Sequence, residues 1–593
     1  MKKPVFTKDS LLPLYQDSLP LGNQDLVQLL DRKASVYVKN YGPASIASIS
    51  LRGTSSHHTQ ILWHGLPLNH SMLGITDLSL ISGNLLRDSE IQEGGASHAA
   101  VSENFGGILF LGSASAKSRF LEAGSGFGSF GSFKNWMSTS GKWKKWHGGL
   151  NIWHQKSRND YSFINEGQRR RIEHAQKESQ GLEGNLGFQI SKYWKWSGAV
   201  WLQKTNRQIP AALYQSVSEA EQKDEALRTS HNLQFEKQNT RLQIGYGFTS
   251  EMLRYVDPIS NILSISLVKQ HFGWLNWEQR WGKLAFHNQV WTNYSNAETQ
   301  NFERNAGMQR LALLNGLDWE MGKGMILKVQ NRTEWYAYSH IQKSGLAHQP
   351  SLGLEFKSPF IGTWSAGFYG KMRLATLNDL FWNPGGNPNL QPETGWTYDL
   401  NWEKCILKAR QWKWTVHGKG YFTQINQYIL WQPQGWIWSP KNLGKVEIIG
   451  FEAANELEWK KDQNVWTLKG SLHANRARNM EARFEGDESV GKQLPYMPVI
   501  QSRAELQYRR KNKKIQIWHQ YTGSRSVDPI GNQKLPHLQL FNLRAEGCFK
   551  MGKQYQIRLF GDCLNLMDKN YQMVLGFPMP GRQFNLGVQL EIN

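Results

Sequence analysis

From about residue 120 to the end of the chain, apolar and polar positions alternate with a period of two. In the last stretch Phe584, Leu586, Val588, Leu590 and Ile592 share one side, and Asn585, Gly587, Gln589, Glu591 and Asn593 the other. Leu242, Ile244, Tyr246 and Phe248 alternate with Arg241, Gln243, Gly245 and Gly247; Tyr398, Leu400 and Trp402 with Thr397, Asp399, Asn401 and Glu403. Tyr555, Ile557 and Leu559 alternate with Gln556 and Arg558. The pattern predicts strands with one apolar and one polar face. In a soluble sandwich the apolar faces meet in a core; in a membrane barrel they face lipid and the polar faces line a wet lumen. Alternation fits both. The stretch 116–593 has no helical crossover pattern, and its length suits a large closed barrel better than a sandwich.

Residues 21–115 read differently. Short apolar runs broken by Gly and polar turns predict a compact α+β domain. Trp63 is the only Trp before residue 115, although the chain has 26. That shift in composition sets three units: an N-terminal segment over 1–20, a small domain over 21–115 and the alternating region over 116–593.

Composition narrows the class. With 39% hydrophobic and 20% charged residues the chain is neither a disordered tail nor a coiled coil. Aromatic residues reach 12%, and Trp and Tyr favour membrane–water interfaces, though glycan-binding β-proteins use them too. No run approaches the roughly 18–20 apolar residues of a transmembrane helix, and the mean hydropathy is −0.56. A β-barrel is the one membrane architecture compatible with that. The formal net charge is +21. Lys and Arg are spread along the whole sequence, so the surplus fits nucleic acid, lipopolysaccharide phosphates or an anionic ligand in a lumen. The Cys residues, at 405, 548 and 563, are odd in number and lack metal-site spacing. The opening Met1-Lys2-Lys3 resembles the start of a signal peptide, but no apolar segment comes after it.

Gly126, Gly128 and Gly131 formally match a dinucleotide-binding GxGxxG. The residues after Gly131 are strand-like rather than helical, so a flexible strand start is the better reading. His57, His58, His64, His70 and His98 cluster in the first domain with spacings that fit no standard metal site. No Walker A pattern, G-x-S-x-G elbow or paired-carboxylate motif is present. The sequence therefore offers no catalytic residue, no metal site and no cofactor. A soluble basic β-protein binding glycans or nucleic acid remains the rival of a different class. A β-structured hydrolase is a further one.

Several segments carry a family likeness. Ser48-Ile49-Ser50-Leu51-Arg52-Gly53-Thr54 resembles the "I-x-I-R-G" strand of the plug of TonB-dependent outer-membrane receptors. Thr59 to Asn69, with Asp77-Leu78-Ser79 after it, resembles the plug's "V-L-V-L-I-D-G-V-x-L-N" segment. Glu90 to Ser97 and Ser102 to Ile108 resemble its end. In the barrel region, Gly386-Asn387-Pro388 through Glu393 is similar to "G-N-P-x-L-x-P-E", Asn565 to Tyr571 to "N-L-F-N-x-x-Y", and Pro580-Gly581-Arg582 precedes the last strand.

The resemblance implies an all-β membrane barrel of about 22 antiparallel strands with the small α+β domain as a plug in its lumen. It implies localisation in the bacterial outer membrane, energy from an inner-membrane TonB complex, a small extracellular ligand, contact with lipid and lipopolysaccharide, and no nucleic acid partner. The pattern is most similar to the cobalamin-receptor branch, so a corrinoid is the first ligand expected, with a ferric siderophore or haem as alternatives. It places apical ligand-binding loops near Tyr41, Gly42, Asn69, His70, Ser71 and Met72, and assigns Arg52 and Glu93 to locking the plug against the barrel. Trp402 and Tyr398 would sit at the bilayer rims. Departures are His64 where the family has Asp, Glu93 and Ala96 where many members have Arg, Val101 in place of a frequent Gly, no recognisable TonB box before Leu11, and a non-aromatic end at Ile592-Asn593. The missing box also leaves a signalling or non-transporting receptor open.

Overall fold

A computed structural model describes residues 11–13, 25–86, 89–94, 103–112, 120–434, 436–482 and 484–592. His98, Ala96 and Val101 lie outside them. The alternating region forms one closed antiparallel barrel of 22 strands, each paired with its neighbour along the chain. The last strand, Gln583–Ile592, closes it on the first, Phe120–Gly128, in a register running from Asn585 opposite Gly128 to Ile592 opposite Leu121. The period of two explains this directly. Phe584 and Leu586 are 55% and 67% exposed on the outer face, while Gln589 between them and the strand end is buried inward. Tyr398 and Leu400 likewise point out, and Thr397 and Asp399 point in. A soluble sandwich would bury the first set.

The two rims differ. One carries only short turns, from two residues (144–145, 238–239) to four (190–193). The other carries the long connections 158–176, 209–220, 374–392, 427–444, 480–499, 523–537 and 565–582. Outer-membrane barrels put short turns on the periplasmic side and long loops outside. Aromatic pairs girdle the barrel beside the short turns: Trp146 with Phe188 at 4.4 Å, Trp194 with Phe235 at 5.0 Å, Trp364 with Trp402 at 6.0 Å and Trp466 with Tyr508 at 4.5 Å between ring centroids. Farther from the short turns, the Tyr246 hydroxyl meets His271 Nδ1 at 2.9 Å, and Tyr294 is exposed beside them. Other Trp residues have a second use. Trp136, Trp153, Trp201, Trp274 and Trp291 point inward and join the apolar core of the plug.

The plug fills the lumen. Its strands β1 (Leu11–Pro13), β6 (Glu90–Glu93), β7 (Gly107–Leu111), β4 (Thr59–Trp63) and β5 (Leu66–Pro67) form a sheet in that order, with β4 and β7 parallel. Strands β2 (Val36–Asn40) and β3 (Ala47–Leu51) pair as a separate hairpin, and helix α1 (Leu26–Leu30) buries Leu26, Leu29 and Leu30. Trp63 packs edge-on against Trp201 of the wall at 5.6 Å. The GxGxxG match falls on the first barrel strand and its turn, with strand Ser132–Trp143 after it.

Because Val588 faces outward at mid-strand, Val588→Arg should destabilise the folded barrel in lipid by about 2–4 kcal/mol. Tyr555→Arg, next to the short turn at 552–554, should cost about 1 kcal/mol or less. Guanidinium titration of both variants folded into vesicles measures the difference; equal costs would contradict the placement of the membrane band.

Candidate functional site at the plug–barrel interface and the outer loops

Arg52 is aimed by its own turn. Strand β3 ends at Leu51, and Arg52 and Gly53 both adopt positive φ, 54° and 72°. Thr54 N–H closes the turn on Leu51 C=O at 3.0 Å. Left-handed backbone at a non-glycine residue is disfavoured, but it carries the guanidinium out of the plug to the wall. There Nη1 meets Asp399 Oδ1 at 2.6 Å and Nε meets Glu452 Oε1 at 3.1 Å, with the Tyr421 ring 4.7 Å away. Gly94 (φ 80°) lies against this pair, and a Cβ there would collide with the guanidinium and with Asp399.

Glu93, at the end of β6, accepts a hydrogen bond from Ser35 Oγ and pairs with Lys419 Nζ; Lys419 also lies 3.5 Å from Glu452. Plug cation and plug anion thus share one cluster with wall residues of the opposite charges. Burial penalises the Glu93 anion, but Lys419 and Arg52 outweigh that and hold its carboxyl far below the ordinary carboxylate range.

Further charged contacts ring the plug. His58 Nε2 lies 2.5 Å from Glu393 Oε2, and Arg373 clamps the same carboxylate at 2.8 and 2.7 Å. Asp77 meets Arg207 at 2.8 Å, Glu103 meets Arg310 at 2.8 Å, and Asp25 meets Lys134 at 2.6 Å. His64 and Gly65, with φ of 48° and 89°, make the tight turn between β4 and β5, and His64 Nε2 reaches Glu183 at 3.6 Å. The histidines therefore separate: His58 and His64 turn to different wall carboxylates. Burial, with Arg373 adding to it, lowers the pKa of His57 to about 4, and burial lowers that of His70. Among the described residues no three His, Cys, Asp or Glu side chains gather as a metal site.

The two plug loops that the resemblance assigns to ligand occupy different places. Tyr41 packs edge-on against Phe577 of the 565–582 loop at 5.0 Å. Gly42 lines a cavity of about 220 Å³ between plug and wall, together with Asn159, Asn565 and Tyr571. Asn69 is used internally: Oδ1 accepts from Ile61 N–H, and Nδ2 donates to Thr59 and Gly74 carbonyls. Asn69, His70 and Ser71 line a separate cavity of about 50 Å³ with His57, Arg310 and Arg373. Met72 is buried beneath the 374–392 loop, whose helix α2 (Leu377–Phe381) donates Leu377 N–H to Ser71 C=O at 3.0 Å and Asn378 N–H to Met72 C=O at 3.2 Å. Thr376 Oγ1 caps α2 by accepting from Asp379 N–H, and the Asp379 carboxylate accepts from Thr376 N–H. Leu73, beside this lid, is 39% exposed.

With this geometry in view, known proteins give a consistent comparison. Residues 16–108 match the TonB-dependent receptor plug domain, and residues 158–566 match the TonB-dependent receptor-like β-barrel. The chain belongs to the TonB-dependent receptor family. It is 25% identical over 454 residues to the vitamin B12 transporter BtuB of Vibrio vulnificus, covering 69% of this chain and 66% of that protein, just under two thirds of its length. It is 20% identical over 572 residues to the vitamin B12 transporter BtuB of Photobacterium profundum, covering 92% and 86%. The copper transporter OprC superposes with a TM-score of 0.78 at 16% identity over 98% of each chain, a likeness of fold alone.

The wall partners escaped sequence reading. Asp399, Lys419, Glu452 and Glu393 are ordinary polar positions of alternating strands, and only the closed barrel brings them to the plug. The one usable signal was an ionisable residue on the lumen side of a strand, as Asp399 is between Tyr398 and Leu400.

In a TonB-dependent receptor built this way, Arg52→Met removes the cation that meets Asp399 at 2.6 Å and leaves Glu452 to Lys419 alone. Breaking a buried pair from one side costs about 3–5 kcal/mol, so hydrogen exchange of β3 amides should quicken by at least about a hundredfold. Glu93 gives a pH dependence. Its folded pKa is depressed, so its stabilisation is fully present above the ordinary carboxylate pKa and is lost as pH falls toward the lower folded value. Glu93→Gln should therefore weaken plug protection at pH 7 and converge with the parent chain in strong acid. An unchanged difference across pH would contradict the ion-pair account.

Proposed function

We propose that this receptor is an outer-membrane importer that takes up a scarce corrinoid by energised displacement of its plug, without catalysing a reaction. The observation that carries the transport reading is a lumen closed by a plug held through many charged and polar contacts. Polar contacts to the wall can be exchanged for water when the plug is moved, and the apolar seam with Trp136, Trp153, Trp201, Trp274 and Trp291 adds to the force that the motion requires. In this reading the working units are a plug over 21–115 and a barrel over 116–593, and Arg52 and Glu93 fasten one to the other. The TonB complex supplies the force from the periplasmic side.

The ligand approaches from the long-loop rim. Tyr41 and Gly42 present one plug loop there, and Asn69, His70, Ser71 and Met72 the other. Contact with Ser71 and Met72 requires α2 to lift, since its backbone occupies their carbonyls. The hairpin of Ile429–Gln434 and Ile437–Asn442 adjoins this lid, with Trp431 Nε1 donating to Asp379 at 2.8 Å and Trp438 59% exposed. Exposed aromatic faces beside hydrogen-bonding loops suit a large, flat ligand with a polar periphery. The similarity to two proteins named vitamin B12 transporters supports a corrinoid. The fold of a copper transporter shows that the same architecture serves other cargoes, so a ferric siderophore or haem is the second reading.

Detergent-purified protein titrated with cyanocobalamin, ferric siderophores and haem decides the ligand. Submicromolar cobalamin binding is expected, weakened at least about tenfold by Trp438→Ala, as loss of a ligand-stacking ring implies. Tight binding of an iron chelate or haem alone would keep the importer and replace the cargo.

A further inference from the structure

The charge surplus has a location that the linear sequence conceals. Every short turn holds a cation or has one within two residues: Lys144 and Lys145 in 144–145, Lys192 in 190–193, Lys237 before 238–239, Lys283 in 282–283 and Lys323 in 323–324. The same holds around the rest of the rim, with Lys357 before 359–361, Arg410 in 409–411, Lys461 before 462–463, Lys511 in 511–512 and Lys553 in 552–554. All of these side chains are exposed. Among the described residues of these turns Asp462 is the one acid, and pairs form only at neighbouring strand ends, such as Lys357 with Glu355 at 2.7 Å, Arg280 with Glu320 at 3.3 Å and Lys460 with Glu458 at 2.8 Å. The opposite rim mixes signs. Arg158 and Arg171 both face Asp160, Lys445 pairs with Glu447, and Glu219, Asp257, Glu485 and Asp528 stand among the remaining cations.

The cations of the short-turn rim are interleaved with its aromatic girdle. Trp143, Trp146, Trp281, Trp319 and Trp412 are exposed at the same level. Lys144 lies 5.2 Å from the Trp143 ring centroid, and Lys192 and Lys237 lie 5.5 and 5.4 Å from that of Tyr193. Exposed Trp and Tyr fix this ring at the depth of lipid headgroups. A Lys on a long stem beside them reaches the phosphate level with its ammonium.

We propose that this rim is a continuous binding collar for anionic phospholipid headgroups, glycerol-phosphate lipids of the periplasmic leaflet, and that it anchors the barrel vertically while force is applied to the plug. The collar rests on the outer-membrane reading above. Two features single out lipid over an acidic protein: the positive charge runs through all ten short turns instead of forming one patch, and it shares its level with the lipid-facing aromatic ring. Each added cation at an anionic membrane surface strengthens binding, and the effect is screened by salt.

The test uses the full chain inserted in vesicles carrying brominated phosphatidylglycerol or brominated phosphatidylcholine, with Trp quenching reporting which lipid occupies the annulus. The expected result is a preference for phosphatidylglycerol of at least about fivefold, shrinking in about 0.5 M salt. The preference should fall toward unity in a chain carrying K144Q, K145Q, K323Q, R410Q, K511Q and K553Q, and persist in one carrying R169Q, R170Q and R171Q on the long-loop rim. Equal quenching by both lipids in the inserted parent chain would overturn the collar and leave the membrane reading standing. A preference abolished only by the long-loop substitutions would also overturn it. Failure to insert into either vesicle would instead remove the outer-membrane reading, and the collar with it.

Discussion

A strand that crosses hydrocarbon has to hydrogen-bond its backbone on both edges, and only closure of the sheet achieves this for every strand. The pairing of Gln583–Ile592 with Phe120–Gly128 is the contact that completes the ring. Closure then imposes a second condition. The inward side of each strand becomes the wall of a cavity too wide for side chains alone to fill. Something must occupy it, and here the first part of the chain does.

The plug meets that wall in two ways. Its apolar core continues into inward-facing Trp136, Trp153, Trp201, Trp274 and Trp291, while charged side chains bridge elsewhere, with Arg52, Glu93, Lys419, Asp399 and Glu452 as the densest cluster. Apolar contact gives the plug adhesion without direction. The buried ion pairs give it register, because each is costly to leave half-made. The strained Arg52-Gly53 turn makes sense in that light, since a relaxed turn would not deliver the guanidinium to Asp399.

The two ends of the barrel have separate tasks. The long-loop end covers the plug with α2 and a Trp-bearing hairpin, and the proposed function puts ligand selection there. The short-turn end carries lysines and tryptophans at one level, so anchoring lies there. An importer whose plug is pulled from one side needs its barrel to resist that pull, and the charge asymmetry between the rims supplies a physical means.

The sequence determined the barrel, the plug and the family through short motifs spread in order along the chain, whereas the period of two by itself fixed only strands with one apolar face. Arg52 and Glu93 lie in the plug motifs, and the structure sets both beside wall residues of opposite charge. The sequence did not reveal Lys419, Asp399, Glu452 or His58's partner Glu393, which lie hundreds of residues from the plug along the chain and look like any other lumen position. Nor did it show that Asn69 is spent on the plug's own backbone, or that Met72 lies under a barrel loop. The net charge is the clearest case. Along the chain, Lys and Arg are spread over the whole length rather than gathered in one region. Only the subset at the short turns recurs at the interval of a strand pair, so the up-and-down barrel returns that subset to one rim, while other Lys and Arg face the lumen or the long-loop rim.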